Sequence, residues 1–216
     1  MVNTTVNARN LNSRNRSVRS EFRKQQIIDS TLDCIDQLGL SQTTLASIAK
    51  KAGVSQGIVV FHFETKERLL ENALQHLSNE YSNCWQSAIQ AAANDPLNRL
   101  KALVKSTFSP AICNRKKISI WYAFWGESKS RPKYQQVCGR HDREFSDTLL
   151  CICKQLEAQQ YARLPALTAS LSIEGMIDGL WQNFLLDKAG FKRQQAITAI
   201  NDLIEIIYPS ISDHHN

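Results

Sequence analysis

Between Thr44 and Phe63 the chain must form two helices that are each too short to stand alone. The run reads Thr44-Leu-Ala-Ser-Ile-Ala-Lys-Lys-Ala-Gly-Val-Ser-Gln-Gly-Ile-Val-Val-Phe-His-Phe63. Leu45, Ile48 and Ala49 share one face of a two-turn helix. Thr43 or Thr44 caps it, since a hydroxyl there accepts an orphan backbone N–H. Gly53 supplies the positive φ of a sharp turn, Ala52 is small where the helices converge, and Val54 fills the corner. Ser55 caps the second helix, which runs to about Phe61. Helices of two turns are unstable by themselves in water, so the pair demands a third element. Phe22, Gln26, Ile27, Ser30, Thr31, Cys34, Ile35 and Leu38 recur at helical spacing and supply it, with Gly39 as the stop. Such a unit is either a DNA-reading head or an ordinary helical corner of an enzyme.

The remainder of the chain is also helical in pattern. Period-two alternation and Asn-Gly or Asp-Gly turns are nearly absent, and eight Gly and five Pro leave few breaks. Thr65 caps a long helix from Lys66 to about residue 93, which Asn94-Asp95-Pro96 ends. Further helices follow at about 97–108, 116–128, 134–158, 165–187 and 192–207. The fold class is all-α. No apolar run approaches the roughly 18–20 residues of a membrane span, and the basic, polar start lacks the apolar core of a secretory signal. A cytoplasmic protein is expected, with no membrane partner.

The formal net charge of +6 points only weakly to a polyanion, but its placement says more. Residues 1–20 hold Arg9, Arg14, Arg16 and Arg19 and no acid. They read as a disordered basic arm that lies along phosphates or in a minor groove, or else as a solvated tail. Six cysteines, with no C-x-x-C and with Cys151 and Cys153 on different faces of one helix, read as small core residues and give no metal site. No cofactor motif is present. For the enzyme alternative, His141-Asp142 and His62 come without a nucleophile, an oxyanion nest or a Gly-rich phosphate loop.

The head resembles the N-terminal signature of the TetR family of repressors. The resemblance runs from Phe22 to about Leu74, on Ile28, Gly39, Thr43-Thr44, Ile48-Ala49, Ala52-Gly53-Val54-Ser55, Gly57, His62-Phe63, Thr65-Lys66-Glu67 and Leu69. It implies that Thr44, Ser55, Gln56, Gly57, Ile58, Val59, His62 and Lys66 lie at or near double-stranded operator DNA. Lys66 at a helix N-terminus would meet phosphate, Gln56 an adenine edge and Ile58 thymine methyls. One departure is Val60, where the family usually carries a Tyr whose hydroxyl touches phosphate. The basic arm is expected to compensate for it.

A second stretch, Ile118-Ser-Ile-Trp-Tyr-Ala-Phe-Trp-Gly-Glu-Ser-Lys-Ser-Arg-Pro-Lys-Tyr134, with Ile173-Glu-Gly-Met-Ile-Asp-Gly-Leu-Trp181, resembles the BetI branch of that family, the choline-responsive repressors of betaine synthesis. The resemblance implies a small-molecule effector, here a quaternary ammonium compound. Trp121, Tyr122 and Trp125 share a helical face that Phe124 widens. They form either a bulky core stripe or an aromatic cage for a cation. Trp181 would close the cage, and Glu174 and Asp178, one turn apart, would neutralise the charge. The family also implies a homodimer through its last long helices, with Leu149, Ile152, Ile173, Ile177, Leu180 and Phe184 serving interface or core. Gly175 and Gly179 would permit close approach of another helix. The organisation expected is an arm at 1–20, a three-helix helix-turn-helix DNA-binding head at 21–66, and a helical ligand-binding and dimerisation domain at 67–216. A ligand-released repressor and a regulator of another pathway, with a different ligand or none, both satisfy this pattern.

Overall fold

The computed structural model describes residues 3–92, 94–127, 132–159, 162–187 and 190–209, without the side chains of residues 3–16, 127 and 132–134. Among these the regular elements are α-helices: α1 (Asn3–Leu38), α2 (Leu45–Ala52), α3 (Gln56–Phe63), α4 (Lys66–Ala91), α5 (Pro96–Thr107), α6 (Arg115–Glu127), α7 (Pro132–Gln159), α8 (Ala166–Leu186) and α9 (Arg193–Ile207). No helix among the described residues is long and apolar enough to cross a membrane. They form two compact units, Met1–His76 and Leu77–Asn216, and α4 contributes to both.

In the first unit α1 starts at Asn3, not near Phe22. The backbone of the stretch expected as a disordered arm continues the helix, because no Gly or Pro interrupts it before Gly39. The side chains of Arg9, Arg14 and Arg16 lie outside the described residues. Phe22 stays 72% exposed, and the buried stripe begins at Ile27.

Thr44 is the cap of α2. Its Oγ1 accepts from the Ser47 N–H at 3.1 Å, and Ser47 Oγ accepts from the Thr44 N–H at 3.0 Å. Thr43 is buried and donates to the Gly39 carbonyl at 2.8 Å. At the other end Gly53 takes φ 63°, so that the Val54 N–H reaches the Ala49 carbonyl at 3.0 Å and the Gly53 N–H the Lys50 carbonyl at 3.3 Å. A β-carbon at that φ would be strained. Gln26 Nε2 donates to the Ala52 carbonyl at 2.9 Å, tying α1 to the turn. Ile27, Cys34, Ile48, Ala49, Ala52, Val59, Phe63 and Leu69 make the core. Leu69 brings the first turns of α4 into the head, which is why the unit extends past Lys66 to His76.

In the second unit Asp95 caps α5, accepting from the Asn98 N–H at 2.9 Å, with Pro96 in the first turn where no N–H is missed. Helix α7 packs on α5 and α8, α8 also meets α6 and α9, and α5 meets α9. Leu149, Ile152, Ile173 and Ile177 are buried inside this single-chain bundle. Of the two readings, interface or core, this burial fits core. An apolar residue at helical spacing marks a covered face without saying what covers it, and here the cover is the chain itself.

Candidate functional site: a reading helix and an acidic aromatic cavity

The eight residues of α3 divide by spacing. Val59 and Phe63, four apart, point inward and are 0% and 5% exposed. Val59 is thus a core residue of the head and not a DNA contact. Outward lie Gln56 and Gly57, with Ile58 38%, Val60 41% and Phe61 82% exposed, while His62 is half-buried. Ser55 Oγ accepts from the Ile58 N–H at 3.4 Å and fixes the start of the helix. Thr44 is exposed at the head of α2, Lys50 and Lys51 at its end, and Lys66 opens α4 half-buried. Burial, then the positive charges of Lys24 and Arg23, push the His62 imidazole below its ordinary value. The most exposed large apolar side chain of α3, Phe61, is one that sequence reasoning did not single out. Its signal was available, three positions on from the outward Ile58 and two from the inward Val59.

The second unit encloses a cavity of about 310 Å³ built from four helices. Tyr81 of α4, Trp121 and Trp125 of α6, Asp142 and Phe145 of α7, and Glu174, Ile177, Asp178 and Trp181 of α8 line it. The Tyr81 ring sits 5.6 Å from those of Phe145 and Trp181 and 6.4 Å from that of Trp121. Trp85 braces Phe145 edge-on at 5.8 Å. Trp181 Nε1 donates to the Thr107 carbonyl at 3.2 Å, which holds the indole in place.

Of the expected ligand residues, the cavity brings together Trp121, Trp125, Glu174, Asp178 and Trp181. Tyr122 stands behind this wall. Its ring is edge-on to Trp125 at 4.9 Å and its hydroxyl donates to the Asp178 carbonyl at 3.1 Å. Phe124 is 1% exposed and belongs to the core. Both are corrections to the cage, because neither side chain is among those that line the cavity. Tyr81, Asp142, Phe145 and Ile177 enter instead. The sequence singled out neither Tyr81 nor Phe145, held Ile177 as core or interface, and marked Asp142 only as part of a His-Asp pair.

The cavity wall carries three carboxyl groups and no Lys, Arg or His among the described residues. Burial, then the neighbouring Glu174, pushes Asp142 up to about 6 against the opposing pull of Arg143. Asp178 rises to about 6 through burial, Glu174 and Asp142 in that order. Both remain partly open to solvent, so they sit at the mouth. Glu174 accepts a 2.6 Å hydrogen bond from Ser146 Oγ. Burial and the same three acids hold the Tyr81 hydroxyl well above its usual range, so it stays a neutral phenol. Aromatic faces and carboxylates both attract cations.

A different face of α8 is uncovered. Leu167, Leu171 and Leu186 are 58%, 61% and 71% exposed, and a β-carbon on Gly175 or Gly179 would meet nothing. Leu180 is half-buried. Phe184 is occupied within the chain, with Phe191 at 5.1 Å and the Arg115 and Arg193 guanidinium groups at 5.4 and 5.5 Å from its ring.

These features have counterparts in known proteins. Residues 27–73 match the family described as bacterial regulatory proteins, tetR family, and residues 96–209 match the one described as BetI-type transcriptional repressor, C-terminal. The HTH-type transcriptional regulator BetI of Paraburkholderia xenovorans (strain LB400) is 33% identical over 190 residues, which is 88% of this chain and 95% of that protein. The regulator of the same name from Yersinia pestis (strain Pestoides F) is 31% identical over 185 residues, 85% of this chain and 91% of its own. Among solved structures, a transcriptional regulator from Pseudomonas aeruginosa PAO1 has a TM-score of 0.77 at 26% identity, covering 86% of this chain and 89% of that one. A regulator from Saccharomonospora viridis, solved in complex with choline, has a TM-score of 0.77 at 22% identity, covering 87% and 98%, a likeness of fold. The capped turn at Gly53 and the helical bundle that follows it in the sequence therefore have one source: the chain belongs to the TetR family, with a BetI-type C-terminal domain, and is a DNA-binding transcriptional regulator rather than an enzyme.

Proposed function

We propose that this regulator is a repressor that grips a near-palindromic operator as a homodimer and releases it when an organic cation, a quaternary ammonium such as choline, fills the cavity. The observation that carries the effector class is the make-up of that cavity, five aromatic rings and three carboxyl groups with no basic residue among its described lining. A cation against such rings gains roughly 0.5–2 kcal/mol for each one it meets. An anionic effector would face three acids and no partner. The choline held by the Saccharomonospora viridis neighbour supports the same class. Three carboxylates exceed the charge of one quaternary ammonium, which favours as the second reading a dicationic amine from another pathway.

Release is a matter of linkage. Helix α4 carries Lys66 near its start and Tyr81 in the cavity wall, so an effector that prefers one setting of α4 biases the head. It weakens DNA binding only as far as its affinity differs between the two settings. Two heads in a two-fold dimer would place their α3 helices in successive major grooves.

Thermal unfolding against choline, betaine, betaine aldehyde, linear diamines and unrelated amines tests the effector. A ligand at about a hundred times its dissociation constant adds about 2.7 kcal/mol. Choline or its aldehyde should raise Tm, and Trp121→Ala should lose that rise while still binding operator DNA. A Tm raised only by diamines transfers the assignment to the second reading, and no rise with any cation sinks both.

For the dimer, the uncovered face of α8 is the proposed contact, since Gly175 and Gly179 admit a close helix and the three leucines flank them. Leu171→Asp should sediment as a folded monomer and bind operator far more weakly. A variant that stays dimeric removes this face from the interface.

A further inference from the structure

If α3 enters the major groove, as the function proposed above requires, the residues it carries restrict what it can read. None of its eight residues is Asp, Glu, Lys or Arg. Its outward side chains are Gln56, Ile58, Val60, Phe61 and His62, and Phe61 is the most exposed large apolar side chain among the described residues, at 82%. The only titratable group on the helix, His62, is half-buried, and burial with the nearby Lys24 and Arg23 holds its imidazole below its ordinary value. Guanine is most often read in this groove by Arg or Lys on O6 and N7, and cytosine by an acid on N4. Helix α3 offers neither. An amide suits adenine, and apolar groups suit the C5-methyl of thymine.

The surroundings favour DNA as the occupant of this apolar strip. Lys50 and Lys51 are exposed at the end of α2, and Arg23 and Lys24 of α1 lie close enough to lower His62, against the opposing pull of Glu21, which pairs with Lys24. The acid that follows α3, Glu64, is paired with Arg68. A basic rim around an uncharged apolar ridge matches a groove walled by phosphates and floored by bases.

We propose that the half-site under α3 is a run of A·T pairs read chiefly through thymine methyl groups, and that Phe61 is the residue that sets this preference. Its ring lies over C5-methyls, Ile58 meets a further methyl, and Gln56 takes an adenine edge. The inference rests on the DNA-binding function proposed above.

The test selects duplexes from a random pool with the full-length protein. It then compares Kd on the selected duplex and on the same duplex carrying uracil in place of thymine under α3, which keeps every base pair and removes only methyls. Burying one methyl is worth about fourfold in affinity. The wild type should therefore lose about fourfold for each contacted methyl. Phe61→Ala should bind the two duplexes alike at that step, and Phe61→Leu should keep part of the difference. Each variant should unfold at the wild-type temperature, because the ring is on the surface. G·C pairs selected under α3, or a thymine preference undiminished in Phe61→Ala, overturns the inference and leaves the repressor intact. A selection that enriches no sequence overturns the operator-binding function, and this inference with it.

Discussion

Val59→Asp should abolish operator binding by unfolding the head, without any contact between residue 59 and DNA. The side chain is 0% exposed and packs among Ile27, Ile48, Ala52 and Leu69. A carboxylate there has no partner, and an uncompensated buried charge costs about 3–5 kcal/mol. Set against about 5–15 kcal/mol for a whole domain, that is enough to melt a small helical unit. Hydrogen exchange should show loss of protection across α2 and α3. Val60→Asp is the control one residue away, 41% exposed. It should keep protection and Tm, and weaken DNA binding only by placing a negative charge near phosphate. Equal melts for the two variants would return Val59 to the DNA surface and undo the division of α3 into inward and outward residues.

The second large effect is on pH. Asp142 and Asp178 have folded values of about 6 against an ordinary 3.8. For a carboxyl raised in this direction, the contribution to stability is fully present below about pH 3.8 and is lost as the pH rises through about 6. Through these two groups the ligand-free protein gains stability between pH 7 and pH 5. Cation binding runs the other way, because a cation needs the ionised form. Its affinity should be roughly tenfold lower at pH 5 than at pH 7.5 for each carboxylate it requires, and about a hundredfold lower for both. Calorimetric titration of choline at pH 5, 6 and 7.5 measures this directly. The Asp142→Asn, Asp178→Asn double variant should bind weakly with a flat profile, and should be more stable than wild type at pH 7.5. A flat wild-type profile would mean that the acids at the cavity mouth play no part in holding the cation.

Helix limits were legible wherever the chain carries punctuation. Gly39, Gly53, Asp95-Pro96 and Pro165 stop or start helices for reasons that act within a few residues, and the structure places those ends within a few positions of the expected ones. The start of α1 was not legible, because a polar run of Asn, Ser and Arg lacks an apolar stripe yet contains no breaker. Within the cavity, the residues on the two sequence stretches, Trp121, Trp125, Glu174, Asp178 and Trp181, were within reach. Tyr81, Asp142 and Phe145 come from helices without such a stretch. Periodicity reports which face of a helix is covered, never which neighbour covers it. The same limit left Ile173 and Ile177 open between core and interface, and it hid the exposed Leu167, Leu171 and Leu186, whose place is decided by the packing of α7, α8 and α9.

The way the head is held together bears on how such a regulator changes over generations. Its shape rests on the backbone bonds at Gly53, the caps at Thr44 and Ser55, and the inward Val59 and Phe63. The side chains of Gln56, Ile58, Val60 and Phe61 lie outside that core. A lineage can exchange these four, one at a time, and acquire a new set of target genes while every intermediate stays folded. The cavity offers no such freedom, since Trp181 also anchors to Thr107 and Tyr81 touches three other rings. Descendants of this chain should therefore diverge first in the genes they govern and only later in the signal they heed.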